Sequence, residues 1–408
     1  MSHHVLSPSA LSPAEKQGRG LRAFALTLLA IEFLDELADG SRQAAWPLIR
    51  LDLQLTYTQI GLLLTVPKLC GNLIEPSLFI LGDTQRRRAL VLTGGACFAL
   101  AALLVAASHS FIALLLAFVV FSPASGAFVN LAQAALMDDV PARREQNMAR
   151  WVFAGSLGVV AGAGALNATV ALGASWRAWY GVLSLLTLLT VLAARRLTFA
   201  VPAAVVPAQA QLGFKASARA AFSALGRAAV WRWLVLLELA DLMLDGLHGF
   251  LALYFVDVAG ASLPRVGLIV AGWAGVGLAG DLLLIPLLER VRGLSYLRWS
   301  ARVMLCLFPA FLLAPGLSVK LALLALIGLA NSGWYSILKA QLYTALPGRS
   351  GAALALHNVT GLCGALMPFG IGLAAERFGL GPAMWLLLAG PVALVLAIPR
   401  AAKNGETC

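Results

Sequence analysis

Runs of about 20 mostly apolar residues follow one another along nearly the whole chain, with only short polar breaks between them. A helix of that length crosses the hydrocarbon core of a bilayer. The runs are rich in Leu, Ala and Gly and show no strand-like alternation, so helices are expected throughout. They fall near 22–43, 57–81, 89–108, 111–137, 151–173 and 176–194, then near 231–256, 263–288, 297–315, 319–345, 351–374 and 381–399. A soluble domain could not hide this sequence. At 408 residues, 60% hydrophobic and 12% charged, its apolar surface exceeds what an interior of that size encloses. The expected fold is an all-α membrane protein with twelve transmembrane helices.

Residues 1–21 are polar and lack a small-residue cleavage site, so they read as a cytoplasmic tail with the first span retained. The stretch 197–228 is the only long connection; it reads as a cytoplasmic linker between six-helix bundles at 22–196 and 229–400, with a second tail at 401–408. With the amino terminus inside, Arg86 to Arg88, Arg143, Arg144, Arg195, Arg196, Lys215, Arg219, Arg290, Arg292 and Arg349 all lie on the cytoplasmic side. Only scattered cations such as Arg50, Arg177, Arg265 and Lys320 lie opposite, as the positive-inside rule requires. Both termini are therefore expected in the cytoplasm, with the chain in a bacterial inner (plasma) membrane. The net charge of +11 follows from topology and calls for no nucleic acid. Trp46, Trp176 and Trp179 at one level, and Trp151, Trp231 and Trp233 at the other, are expected in interfacial belts. The cysteines have no paired spacing, so neither a disulfide framework nor a metal site is expected.

Sliding the chain against itself by 206 residues matches its rare acids. Glu32 falls on Glu238, Asp35 on Asp241, Asp39 on Asp245, Glu75 on Asp281 and Asp83 on Glu289. Gly61 and Gly267, Arg86 and Arg292, Gly155 and Gly361, and Gly158 and Gly364 also coincide. The halves are parallel repeats, as two bundles related by an axis along the membrane normal would be.

Two such halves, with an acidic-then-basic cluster after the second span of each, resemble the major facilitator superfamily. The clusters are Asp83-Thr84-Gln85-Arg86-Arg87-Arg88 and Glu289-Arg290-Val291-Arg292. The first lacks the family's preceding glycine, position 79 being Phe79. Phe33-Leu34-Asp35-Glu36, Pro47 and Leu55-Thr56-Tyr57-Thr58-Gln59-Ile60-Gly61 are similar to the fosmidomycin-resistance-like branch over about thirty residues. A His-Pro-Glu element expected on its fourth span is missing, so that drug is not carried over. The resemblance implies two pseudo-symmetric six-helix bundles around a central cavity lined by the first, fourth, seventh and tenth spans. It also implies alternating-access transport of a small-molecule substrate.

Glu32, Asp35 and Asp39 stand at i, i+3 and i+7, within roughly 60° of helix arc and about 10 Å of length. Glu238, Asp241 and Asp245 repeat the stripe. A carboxylate facing lipid costs at least ~2.5 kcal/mol on insertion scales, so both stripes must face protein or water. Structural pairing with Arg42, Lys68 or Lys339 is expected for two or three of the six; too few cations exist for the rest. The remainder read as proton- or substrate-binding groups, since desolvation and mutual repulsion oppose full ionisation.

Further cavity-lining candidates are Asn130, Gln133, Asn331, Trp334 and Lys339, with Trp334 able to stack on a flat or cationic solute. Gating candidates are Asp83, Arg86, Arg87, Glu289 and Arg292, as ion pairs that rocking would break. No phosphate loop, zinc helix or nucleophile-base pair occurs, so no cofactor, resident metal or enzymatic reaction is expected. The expected function is proton-coupled movement of a small, cationic or amphiphilic organic solute, with efflux favoured and the chain a monomer. Two alternatives stand beside it: an uptake symporter for a nutrient or divalent metal cation, and a non-transporting receptor or scaffold.

Overall fold

The computed structural model describes residues 13–82, 86–139, 144–197, 227–345 and 360–398. In the first half the helices are α1 (Pro13–Leu53), α2 (Tyr57–Gly82), α3 (Arg87–Ala106), α4 (Phe111–Ser125), α5 (Leu131–Asp139), α6 (Arg144–Ala171) and α7 (Trp176–Ala194). A π-helical turn, Gly126–Asn130, joins α4 to α5 into one span. In the second half they are α8 (Ala228–Asp257), α9 (Leu263–Arg290), α10 (Gly293–Leu313), α11 (Leu317–Asn331), α12 (Trp334–Ala345), α13 (Met367–Phe378), α14 (Leu380–Met384) and α15 (Ala389–Ala397). Here α11 and α12 make one span, and α14 and α15 make another through the 3₁₀ turn Trp385–Leu388. The protein is thus an all-α membrane protein of two six-helix bundles. Among the described residues, eight helical segments are long and apolar enough to cross a bilayer unaided. The acid-bearing α1 and α8 are not among them, and they hold their place by packing against neighbours.

Local chemistry sets the helix ends. Thr56 and Gln59 form a capping box at the start of α2: Gln59 N–H donates to Thr56 Oγ1 at 3.1 Å, and Thr56 N–H donates to Gln59 Oε1 at 3.0 Å. Ser110 and Ser175 cap α4 and α7 by accepting from Ala113 N and Ala178 N. Lys320 closes the end of α10, donating to Phe311 O at 2.8 Å and Leu312 O at 3.0 Å. The first span runs farther than expected, from Pro13 to Leu53, because Pro47 is carried inside the helix. A span packed among others re-satisfies the backbone that a proline frees.

Within the first half, α1 lies along α6, and α3 lies along α4 and α7. Across the halves, α1 meets α8, α2 meets α13, and α6 meets α9. In repeat terms, the second span of each half packs on the fifth span of the other. The matched glycines Gly61 and Gly267 make these crossings close. A Cβ on Gly61 would lie 2.7 Å from Pro368 O on the eleventh span, and one on Gly267 would lie 2.6 Å from Asn167 Cβ on α6.

The expected aromatic belts are corrected. Trp46, Trp151, Trp176 and Trp233 are buried, and of the six only Trp231 is exposed. Trp176 Nε1 donates to Asp52 Oδ2 at 3.2 Å, and Trp179 Nε1 donates to Ser41 Oγ at 2.7 Å. These two indoles donate to groups of the protein itself, and Trp46 Nε1 is buried without a partner among the described residues.

Candidate substrate chamber

A cavity of about 590 Å³ lies between the halves, walled by Glu32, Asp35, Glu36 and Asp39 of α1, Lys68 and Glu75 of α2, the α4–α5 span, and Asp245 and His248 of α8. It adjoins a second cavity of about 430 Å³ lined by α8, α9, α11 and α12, the two sharing Glu36, Asp39, Gln43 and His248. A small void of about 90 Å³ beside Lys68 and Asp245 is lined by Glu238 and Asp241. The expected stripes therefore all border one interconnected chamber.

Their partners differ. Asp39 pairs with Arg42 one helical turn on and accepts from Gln43 Nε2 at 2.7 Å. Asp245 pairs with Lys68 of the other half at 2.7 Å. Asp35 accepts a 2.7 Å hydrogen bond from Ser125 Oγ. That serine ends α4 where the π turn begins, and Pro123 just before it loosens the helix. Glu238 is 8% exposed and is hydrogen-bonded to Thr360. Glu32 is equally buried at 8% but forms no hydrogen bond or ion pair among the described residues. It is aimed into the larger cavity. Of the three cations expected to neutralise acids, Arg42 and Lys68 do so. Lys339 Nζ instead donates to Tyr335 Oη at 2.8 Å, 4.8 Å from the ring centroid.

Glycines on the fifth span of each half admit the two glutamates. A Cβ on Gly155 would lie 2.6 Å from Glu32 Oε1, and one on Gly364 would lie 2.0 Å from Glu238 Oε2. Glu75 is seated the same way: a Cβ on Gly126 of the π turn would lie 2.6 Å from its Oε1. The second-half counterpart, Asp281, lines the smaller cavity.

Of the other candidates, Asn130 and Gln133 line the larger cavity, and Asn331 and Trp334 the smaller. Trp334 is fully buried, with Nε1 donating to Ser300 Oγ at 2.8 Å, so its ring is committed to packing in this conformation. Two contributors escaped sequence reasoning: Glu36 lines both cavities, yet the repeat places Leu242 opposite it, and Ser125 falls on Asn331 in the repeat without having been singled out. Glu36 was signalled only by its place one turn beyond Glu32.

Among the gating candidates, Asp83 lies outside the described residues. Arg87 Nε donates to Gly82 O at 2.9 Å within its own half. Arg86 precedes α3, and Glu289 and Arg292 are exposed without an ion pair between them among the described residues. Among the described residues, the cross-half bonds gather instead at mid-depth and at the opposite end, beside the α1–α2 and α8–α9 turns. There Asp257 Oδ2 accepts from Arg50 Nη1 at 2.7 Å and from Tyr57 Oη at 2.8 Å. Tyr57 N–H donates to Glu376 Oε2 at 2.9 Å. That end is closed.

Two bundles related as repeats, closed over a polar chamber at one end, define a membrane transporter rather than an enzyme. The Major Facilitator Superfamily model matches residues 28–368, and the chain belongs to that family. A bacterial homologue of the human lysosomal transporter Spinster, in an inward-facing and occupied conformation, aligns with a TM-score of 0.70 at 17% identity, covering 95% of each chain. The nucleoside transporter NupG aligns with a TM-score of 0.75 at 15% identity, over 92% of this chain and 98% of that one. At these identities the likeness is one of fold. No curated protein matches the chain.

Proposed function

We propose that this transporter is a secondary active exporter of small organic cations, driven by protons that compete for the α1 carboxylates. The observation that carries this reading is Glu32, buried and without a partner among the described residues, on a wall that also holds Asp35, Glu36 and Glu75. The two cations lining that cavity, Arg42 and Lys68, are already engaged by Asp39 and Asp245. Among the described residues, the wall therefore carries four carboxylates with no side-chain cation of their own. Such a surface attracts either protons or a positively charged guest. Trp46, Phe118, Phe121 and Trp151 also line the cavity and favour an organic guest with apolar surface. Among the described residues, no three His, Cys, Asp or Glu side chains converge to hold a metal ion, which favours an organic cation over a bare metal as cargo.

The cycle follows from which bonds cross the halves. In this reading, which the positive-inside bias supports, the closed end with Arg50, Tyr57 and Asp257 is the outer one and this conformation faces the cytoplasm. A cation enters from that side and is held by Glu32 and its neighbours. Rocking of the bundles then breaks the Asp257 cluster and the Lys68–Asp245 pair, while the Asp39–Arg42 pair moves as part of one half. Protons arriving from outside neutralise the acids and release the guest. The test is counterflow of radiolabelled tetraphenylphosphonium in proteoliposomes. Saturable exchange that accelerates when the outward compartment is acidified supports the reading; exchange indifferent to a proton gradient refutes the coupling.

A further inference from the structure

We propose that the outer surface of the second half carries a binding site for one anionic phospholipid, in the groove between α9 and α11. The groove encloses about 530 Å³ and is lined by Leu268, Ile269, Val276, Leu321 and Leu324, with Arg265 among its walls. Leu268 is 61% exposed on a membrane-crossing helix, so the groove opens to the bilayer and is filled by hydrocarbon, not water. Gly272 gives it depth, because a Cβ there would have nothing within 4 Å. From Arg265 to Val276 the groove follows α9 for about 16 Å, the reach of an acyl chain segment.

Charge selects the headgroup. Arg265 stands in the first turn of α9, at the level where the helix leaves the membrane, and it is exposed with no partner among the described residues. A guanidinium at that level pairs with a lipid phosphate. A zwitterionic lipid offers the same phosphate beside a choline cation that repels Arg265, so a net-negative headgroup is preferred. The site also reaches the transport chamber. Trp273 lines this groove and the 430 Å³ cavity alike, and its ring meets His248 edge to face at 5.8 Å between centroids. A lipid tail would thus bear on the outer side of a residue whose inner side borders the chamber. This inference holds whatever cargo the chamber takes.

The experiment is native mass spectrometry of the detergent-purified full chain with phosphatidylglycerol, phosphatidylcholine of the same acyl chains, or glycerol 3-phosphate alone. The wild type is expected to retain phosphatidylglycerol about 5-fold better than phosphatidylcholine. Arg265→Gln should equalise the two lipids, and Gly272→Leu, whose Cβ meets no protein atom within 4 Å and whose side chain occupies the groove, should lose both. Glycerol 3-phosphate should neither bind nor compete. The proposal is overturned if Arg265→Gln keeps the preference, if Gly272→Leu retains lipid as the wild type does, or if the soluble headgroup binds as well as the lipid. Each variant is first shown to be monodisperse; since the two act at separate points, either one alone decides.

Discussion

The α1 and α8 stripes are the same three acids at the same spacing, yet they are neutralised in opposite ways. Asp39 takes Arg42 from its own helix. At the place matching Arg42 the second half has His248, whose ring lies against Trp273, and Asp245 reaches across the interface to Lys68. One pair is internal to a bundle, and the other ties two bundles together. Symmetry of sequence has thus been kept in the carboxylates and lost in the cations. The first half keeps a set of acids on the wall of the larger cavity, while the second half has one acid whose ion pair spans the two bundles.

That contrast can be broken experimentally, beginning with the largest effect. Glu32→Gln removes the unpartnered acid and is expected to lower proton-driven cation exchange by about 100-fold while the protein stays folded. Glu238→Gln, at the hydrogen-bonded counterpart, should cost about 10-fold or less in the same assay. Equal losses would erase the distinction between the stripes. Lys68→Met strips Asp245 of its cross-half partner; cysteine accessibility at the closed end should then rise several-fold as that state loses a tie. Restoring an internal partner with His248→Arg in the Lys68→Met background should stabilise Asp245 without returning the accessibility to its starting value. A full return would mean that any cation near Asp245 suffices. Arg42→Met leaves Asp39 with Gln43 alone. The pair is about one-third exposed, so the cost in a thermal melt should be about 1 kcal/mol. Gly155→Ala and Gly364→Ala press a methyl on Glu32 and Glu238, each at the end of a flexible side chain. Each should cost about 1 kcal/mol, with Gly155→Ala also impairing exchange.

Much of the architecture could be read before any coordinates, for a definable reason. Bilayer thickness imposes a length on every span, so apolar runs marked spans such as Trp176–Ala194 and Phe111–Met137 closely. The 206-residue offset likewise exposed the acids, because rare residues matched at long range seldom coincide by chance. Burial and partnership were less legible. Nothing local distinguishes Trp46, which is enclosed, from an interfacial tryptophan, because depth in a bundle depends on which helices lie alongside. Lys68 was visible as a possible neutraliser, but only its ion pair across the halves shows that Asp245 is the acid it serves. Glu36 falls on Leu242 in the repeat and was marked only by its place one turn beyond Glu32, while Ser125 falls on Asn331, a match of two different polar residues that carries little signal. Part of the Thr56–Gln59 likeness to the fosmidomycin-resistance-like branch is the chemistry of starting a helix, since both residues serve the α2 capping box.

The most direct test is uptake of tetraphenylphosphonium into proteoliposomes at several proton gradients, comparing wild type with Glu32→Gln. A wild-type rate that climbs with the gradient, beside a Glu32→Gln rate that is low and flat, is the expected result. A Glu32→Gln protein that still follows the gradient would contradict the claim that the open α1 carboxylates couple protons to cargo.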